Sequence, residues 1–140
     1  MSKFDVFLVP TALAINKARQ DHLASLNLDL EQKSVLEVGA GIGLHTPFWL
    51  DRGCTVTVTD ANQDNVEEIK KRLPHVHSMV LDLDQSNSVA ELESFDIVYC
   101  YGLLYHLGNP ESALEQLASV CSGQILLELI VNPGEETMIE

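Results

Sequence analysis

The stretch that most constrains this chain is Ser34–Gly43, SVLEVGAGIG. Val35, Leu36 and Val38 are apolar and partly β-branched, which suits a strand buried on both faces of a parallel sheet. Gly39, Gly41 and Gly43 follow at alternate positions, and glycine lets the chain turn sharply and lets a ligand approach its backbone. A helix predicted over Leu44–Arg52 offers unpaired N–H groups and a positive dipole end just beyond them. Strand, glycine-rich turn and helix start together make a nucleotide-cofactor site in an open α/β sheet. The spacing narrows the choice. A G-x-G-x-x-G dinucleotide fingerprint needs a last glycine where Leu44 stands, and the pattern present is E-x-G-x-G-x-G, from Glu37 to Gly43. That argues against an NAD-dependent oxidoreductase, which is kept as a second alternative.

This pattern resembles motif I of the class I S-adenosylmethionine-dependent methyltransferases, and the resemblance runs in order over roughly Val35 to Val131. It implies an α/β fold, a three-layer α/β/α sandwich of Rossmann-like type with a mainly parallel sheet in order 3-2-1-4-5. It implies S-adenosyl-L-methionine as cofactor and S-adenosyl-L-homocysteine as product, with Gly39, Ala40, Gly41 and Gly43 against the ligand. Glu37 would lie near the methionine ammonium, directly or through water. As a strand-end acid it can equally be a structural acceptor for the glycine loop.

The next strand is predicted over Cys54–Thr59, CTVTVT, and delivers Asp60, followed by Ala61, at its carboxyl end. A carboxylate there can accept hydrogen bonds from both ribose hydroxyls. An aspartate after a strand also caps helices, although Asn62 or Asp64 can serve as cap here. Asn65–Leu73 repeats Val66, Ile69 and Leu73 at helical spacing, and Pro74 stops it. Val76–Leu81 reads as the third strand, ending in Asp82-Leu83-Asp84. In the resembling family an acid here takes the adenine amino group and the next N–H meets the ring. Asp82 and Leu83 match, with Asp84 as the register alternative.

Gln85–Ser94 reads as a loop and a short helix. Phe95–Cys100, FDIVYC, is the fourth strand and leads into Tyr101-Gly102-Leu103-Leu104-Tyr105-His106-Leu107. That stretch is similar to the G-x-L-x-H-L segment of many small-molecule methyltransferases, and a comparable one occurs in enzymes that modify the wobble uridine of transfer RNA. The resemblance puts Tyr101 and Gly102 beside the methionine part of the cofactor. It turns Tyr105 and His106 toward the acceptor, His106 as candidate base for a hydroxyl and Tyr105 as orienter. A histidine that merely packs the loop is the other reading. Asn109-Pro110 opens a helix with Ala113, Leu114, Leu117 and Val120 inward, Gly123 stops it, and Gln124–Val131 is strand five. Asn132–Gly134 is a turn.

Ahead of the glycine motif, Thr11 caps a helix through about Leu26, with Leu13, Ile15, Ala18, His22 and Leu26 as its candidate buried side. Residues 1–33 are thus a helical lead-in to a core over 34–131 and a tail over 132–140, one domain in all. The family adds further strands after the fifth, so the chain is expected to be a fragment of a longer enzyme or a trimmed domain. Its strand-five edge invites a homodimer. A non-catalytic cofactor-binding module is the first alternative function.

Composition bears on the partners. Only 8 Lys and Arg face 21 Asp and Glu, a formal charge of −13, which argues against a phosphate backbone as direct partner. No apolar run is long enough for a membrane span, and the N-terminus makes a poor signal peptide. Cys54, Cys100 and Cys121 lack metal or disulfide spacing and read as reduced thiols of a cytoplasmic protein. His75 and His77 lack a third ligand nearby, so no metal is expected. The expectation is a methyltransferase acting on a small molecule, at oxygen.

Overall fold

The computed structural model describes residues 2–130 of the chain. Five parallel strands carry it: β1 (Ser34–Glu37), β2 (Thr55–Asp60), β3 (His77–Val80), β4 (Phe95–Tyr101) and β5 (Cys121–Glu128). They lie in the order β3-β2-β1-β4-β5, the order that the sequence resemblance implied. Around them are α1 (Pro10–Ser25), α2 (Thr46–Leu50), α3 (Gln63–Arg72) and α4 (Pro110–Ser119), with single 3₁₀ turns at Asp5–Phe7 and Leu104–His106.

Side chains alternate across the sheet and divide the interior in two. Val35, Val56, Val58, Ile97 and Tyr99 point to the face covered by α1, α2 and α3, where Trp49 and Ile69 complete the packing. Leu36, Val38, Val98 and Cys100 point to the other face, against Ala113 and Leu117 of α4 and Leu83 and Val89 of the preceding segment. Both outer layers are needed because β1 and β4 are buried on both faces. At the end remote from the glycine loop, the Ser34 N–H and hydroxyl donate to Asp96 Oδ2, at 2.9 and 3.1 Å, bracing the central β1–β4 pair. Those bonds hold the Asp96 carboxyl below its ordinary pKa.

Four local expectations change. Residues 85–94 form a succession of turns rather than a loop and helix; Val89 and Leu92 still pack inward, so burial is achieved without helical periodicity. The helix after the glycine loop starts later than expected, at Thr46, with Pro47 in its first turn, where the missing N–H costs nothing. Strand five begins at Cys121, and Gly123 is inside it rather than a helix stop. There the register with β4 shifts between Phe95 and Ile97, and a Cβ at 123 would fall on the carbonyl oxygen of Asp96. A bulge with so close a backbone approach requires glycine. Leu114 is 37% exposed, while Ala113, Leu117 and Val120 are inward as expected. The turn expected at Asn132–Gly134 and the tail lie outside the described residues.

Helix α1 departs furthest: it begins at Pro10 after Val9, so Thr11 lies inside it rather than capping it. Of its expected buried side, Leu13 and Ile15 are 45% and 47% exposed. The inward stripe is Ala12, Asn16, Arg19, Gln20 and Leu23, of which only Leu23 is fully buried. The helix lies over a polar opening, so the polar face turns in.

Candidate functional site

The carboxyl ends of β1, β2 and β4 converge on the glycine loop. Gly39, Gly41 and Gly43 have φ of 65°, 61° and 83°, in the left-handed region that side chains disfavour. The loop is pinned from below: Ala40 N–H donates to the Thr59 carbonyl at 3.0 Å, and Gly41 N–H donates to Asp60 Oδ2 at 2.8 Å. The other oxygen of Asp60 accepts from the Asn62 N–H and the Asn65 side-chain amide. Asn62, by contrast, is the cap of α3, accepting from Asp64 and Asn65 N–H groups. Asp60 is therefore free of the capping role and ties the loop to the strand end, half-buried at its rim.

Above the loop is a cavity of about 120 Å³. Its walls contain Glu37, Gly39, Ala40, Gly41 and Tyr101 from the sequence-based candidates, together with Phe7, Asn16, Arg19, His45 and Tyr99, which sequence reasoning did not single out. Glu37 is 1% exposed, and burial pushes its carboxyl up to about 7, against the Thr46 hydroxyl that donates to Oε1 at 2.7 Å. A buried acid so poised ionises readily when a cation is supplied beside it.

The upper wall is α1 and the segment before it. A Cβ at Gly41 would meet the Phe7 ring at 2.9 Å, so the aromatic ring sits directly over the loop. His45 links three elements: its Nε2 is 2.7 Å from Asn16 Oδ1 and its Nδ1 is 2.6 Å from the Tyr99 hydroxyl. With the amide oxygen of Asn16 facing it, Nε2 carries the hydrogen and Nδ1 accepts from Tyr99. Burial, then the Arg19 charge, lowers His45 to about 4, so it stays neutral in that role. Arg19 reaches across to β5, where Nε donates to both oxygens of Glu128 at 2.9 Å and Nη2 donates to Oε1 at 2.6 Å. Gly102, at φ 68°, makes room: a Cβ there would stand 2.5 Å from Arg19 Nη2.

The remaining candidates lie beside rather than in this cavity. Asp82 accepts from the Asp84 N–H at 3.0 Å, Leu83 is buried in the second core cluster, and Ala61 is exposed. Asp84 accepts from Gly108 N–H at 2.9 Å and so ties the β3 end to the loop after β4. Tyr105 and His106 are exposed on their 3₁₀ turn with ring centroids 4.4 Å apart, and neither lines the cavity. Among the described residues, no three His, Cys, Asp or Glu side chains are grouped to hold a metal, and Cys54 and Cys100 are buried free thiols. No helix among them is long and apolar enough to cross a membrane.

The missed residues had a signal of a kind. Asn16, Arg19 and Leu23 recur at helical spacing, but a search for apolar periodicity selects the opposite face.

Comparison with known proteins agrees with this architecture. The chain is 34% identical over 119 residues to a tRNA U34 carboxymethyltransferase of Vibrio campbellii, covering 79% of this chain and 36% of that protein. It thus spans about a third of the length of the curated relatives it matches. Its fold superimposes on an S-adenosylmethionine-dependent methyltransferase of Mesorhizobium loti with TM-score 0.66 at 16% identity, over 76% of this chain and 51% of that one. It also superimposes on magnesium protoporphyrin IX methyltransferase of Synechocystis PCC 6803, solved with bound SAM, with TM-score 0.67 at 19% identity, over 91% and 62% of the two chains. The family described as "Methyltransferase domain" matches residues 36–123, from the middle of β1 into β5. The chain belongs to that methyltransferase-domain family.

Proposed function

We propose that the chain is the S-adenosyl-L-methionine-binding domain of a methyltransferase and that the cavity above the glycine loop receives the methionine end of the cofactor. The observation that carries this is the pairing of a buried Glu37 with a guanidinium, Arg19, in the walls of one cavity. An α-amino acid end carries an ammonium and a carboxylate: Glu37 complements the first, and Arg19, whose Nε and Nη2 are engaged by Glu128, complements the second through Nη1. Gly39, Ala40, Gly41 and Gly43 supply the close backbone, Tyr101 and Gly102 the side of the methionine chain, and Asp60 with Ala61 the ribose. Asp82 and Leu83 flank the adenine. When bound, the cofactor supplies a methyl group on a sulfonium, an electrophile whose leaving group departs as a neutral thioether.

The protein contributes position. Phe7 and α1 cover the loop, and the His45 link holds α1 against β4. Tyr105 and His106, exposed on their 3₁₀ turn and outside the cavity, would meet an acceptor only from the outer rim. The acceptor is a small molecule, methylated at oxygen. The acidity of the chain supports this over a polyanion, and the absence of a membrane-crossing helix among the described residues is compatible with a cytoplasmic setting.

A second reading is an RNA acceptor, favoured by the likeness to the tRNA U34 carboxymethyltransferase of Vibrio campbellii. It requires basic surface from elsewhere in a longer protein. Calorimetric titration with S-adenosyl-L-methionine, with NAD as control, tests the cofactor. Saturable one-to-one binding that Asp60→Ala abolishes is the expected result, and NAD binding in its place overturns the proposal. Transfer of labelled methyl to transfer RNA by the purified chain would replace the small-molecule reading with the second.

A further inference from the structure

A second cavity, of about 260 Å³, lies between α1 and the carboxyl ends of β4 and β5. Ile15, Ala18, Arg19 and His22 recur at the spacing of one helical face and form one wall. Tyr101, Leu127 and Glu128 form the other. Arg19 and Tyr101 also line the cavity above the glycine loop, so the two spaces adjoin across those two side chains.

We propose that this second cavity binds the methyl acceptor, a neutral compound with a ring or alkyl body and a hydroxyl group, and that His22 takes the hydroxyl proton. The inference rests on the cofactor reading of the first cavity.

Three features select that acceptor class. Arg19 and Glu128 compensate each other through three hydrogen bonds, which leaves the cavity without a net charge to attract an ion. Ile15 stays 47% exposed in the wall, with Ala18 and Leu127 beside it, and an apolar body covers that surface. The polar end is His22, whose Nδ1 is 3.3 Å from the Tyr101 hydroxyl. Burial and the Glu128 charge raise the Tyr101 phenol, so it remains a neutral partner. The proposed role uses the tautomer whose Nδ1–H donates to that oxygen, which leaves Nε2 as the basic nitrogen.

The step balances. The acceptor oxygen bonds to the methyl carbon, the carbon–sulfur bond breaks with its electron pair left on sulfur, and the hydroxyl proton passes to His22 Nε2. His22 is exposed and returns that proton to water.

Phenol is the probe. S-Adenosyl-L-homocysteine is first titrated calorimetrically into the purified chain, and failure there sinks the cofactor reading itself. With the product bound, phenol is titrated and followed by nuclear magnetic resonance. The expected result is saturable binding with shifts at Ala18, His22 and Leu127. Ala18→Phe, which fills the cavity, is expected to weaken phenol at least tenfold without changing product affinity. Should that variant misfold, Ile15→Glu, at an exposed position, is expected to weaken phenol similarly. In single-turnover transfer from S-adenosyl-L-methionine to phenol, His22→Ala is expected to slow the rate about a hundredfold or more. Product binding without phenol binding, phenol binding indifferent to both cavity variants, or undiminished transfer by His22→Ala each overturns the proposal.

Discussion

Glu37 shows what a single buried side chain imposes. Its folded carboxyl titrates near 7 because burial penalises the charge, whereas an unfolded chain's glutamate titrates near 4.5. The folded state therefore holds the proton over that interval and the unfolded state does not. The contribution to stability is fully present below about 4.5 and is lost as pH rises toward about 7. The loss is roughly 3 kcal/mol by the conversion of pKa difference to free energy. Glu37→Gln is expected to remove this pH dependence in urea titrations at pH 5 and pH 8. Because a bound ammonium favours the carboxylate, the affinity for S-adenosyl-L-homocysteine is expected to rise as pH increases through about 7. Calorimetry in two buffers of different ionisation enthalpy would reveal the released proton, and a flat pH profile would remove Glu37 from the ammonium site.

At Gly102 the backbone itself constrains the residue. Its left-handed φ disfavours a side chain, and a Cβ there would push aside the Arg19 guanidinium. Gly102→Ala is expected to cost about 1–3 kcal/mol of stability in denaturant titration, from backbone strain and displacement of Arg19. Glycines 39, 41 and 43 were legible in the sequence by their pattern. The left-handed turn at Gly102 was not, because no run of glycines marks it and Arg19, which packs against it, is distant in sequence.

At the scale of elements, strands were the most legible part. Cys54–Thr59 and Phe95–Cys100 are short apolar or β-branched runs with turn signals at both ends, and few alternatives compete for such runs. Helix α1 was legible as a helix but not in its facing. Apolar periodicity assumes an apolar neighbour, and α1 packs over a cavity whose walls are charged. Gly123 misled for a related reason: a glycine after a helix reads as a stop, and only the Asp96 carbonyl beside it makes it a bulge. The α1 clamp is open to a direct test. Arg19→Ala and Glu128→Ala in a double-mutant cycle are expected to show a coupling of about 1 kcal/mol, modest because both side chains are partly solvated. Amide exchange in α1 is expected to accelerate in either variant, with β1 and β4 unaffected. Unchanged exchange in α1 would mean that Asn16 and Leu23 hold the helix unaided.

For the whole molecule, net charge is the property that matters most at a distance. With 8 basic residues against 21 acidic, the chain alone is expected to show no transfer-RNA binding by fluorescence anisotropy near physiological salt. Saturable binding there would favour the RNA reading. Among the described residues β5 is an edge of the sheet, next to Leu129 and Ile130, which are 45% and 74% exposed. Sedimentation equilibrium is expected to detect self-association through this edge, weakened by Ile130→Lys. An unchanged association constant would place the contact elsewhere.

The turn-built crossover at residues 85–94 has a consequence for how the molecule can be taken apart. Every strand before it lies on one side of the sheet's middle seam and every strand after it on the other, and the seam itself is the β1–β4 pairing. A nick beside Asn87, in an exposed turn, severs no strand pair. Each resulting half carries part of the ligand's walls: Glu37, the glycine loop and Asp60 on one, Tyr101 and Glu128 on the other. The two pieces, produced separately, are expected to rejoin along that seam, and the cofactor would then act as the rivet between them. Its concentration would set how much of the split protein is whole.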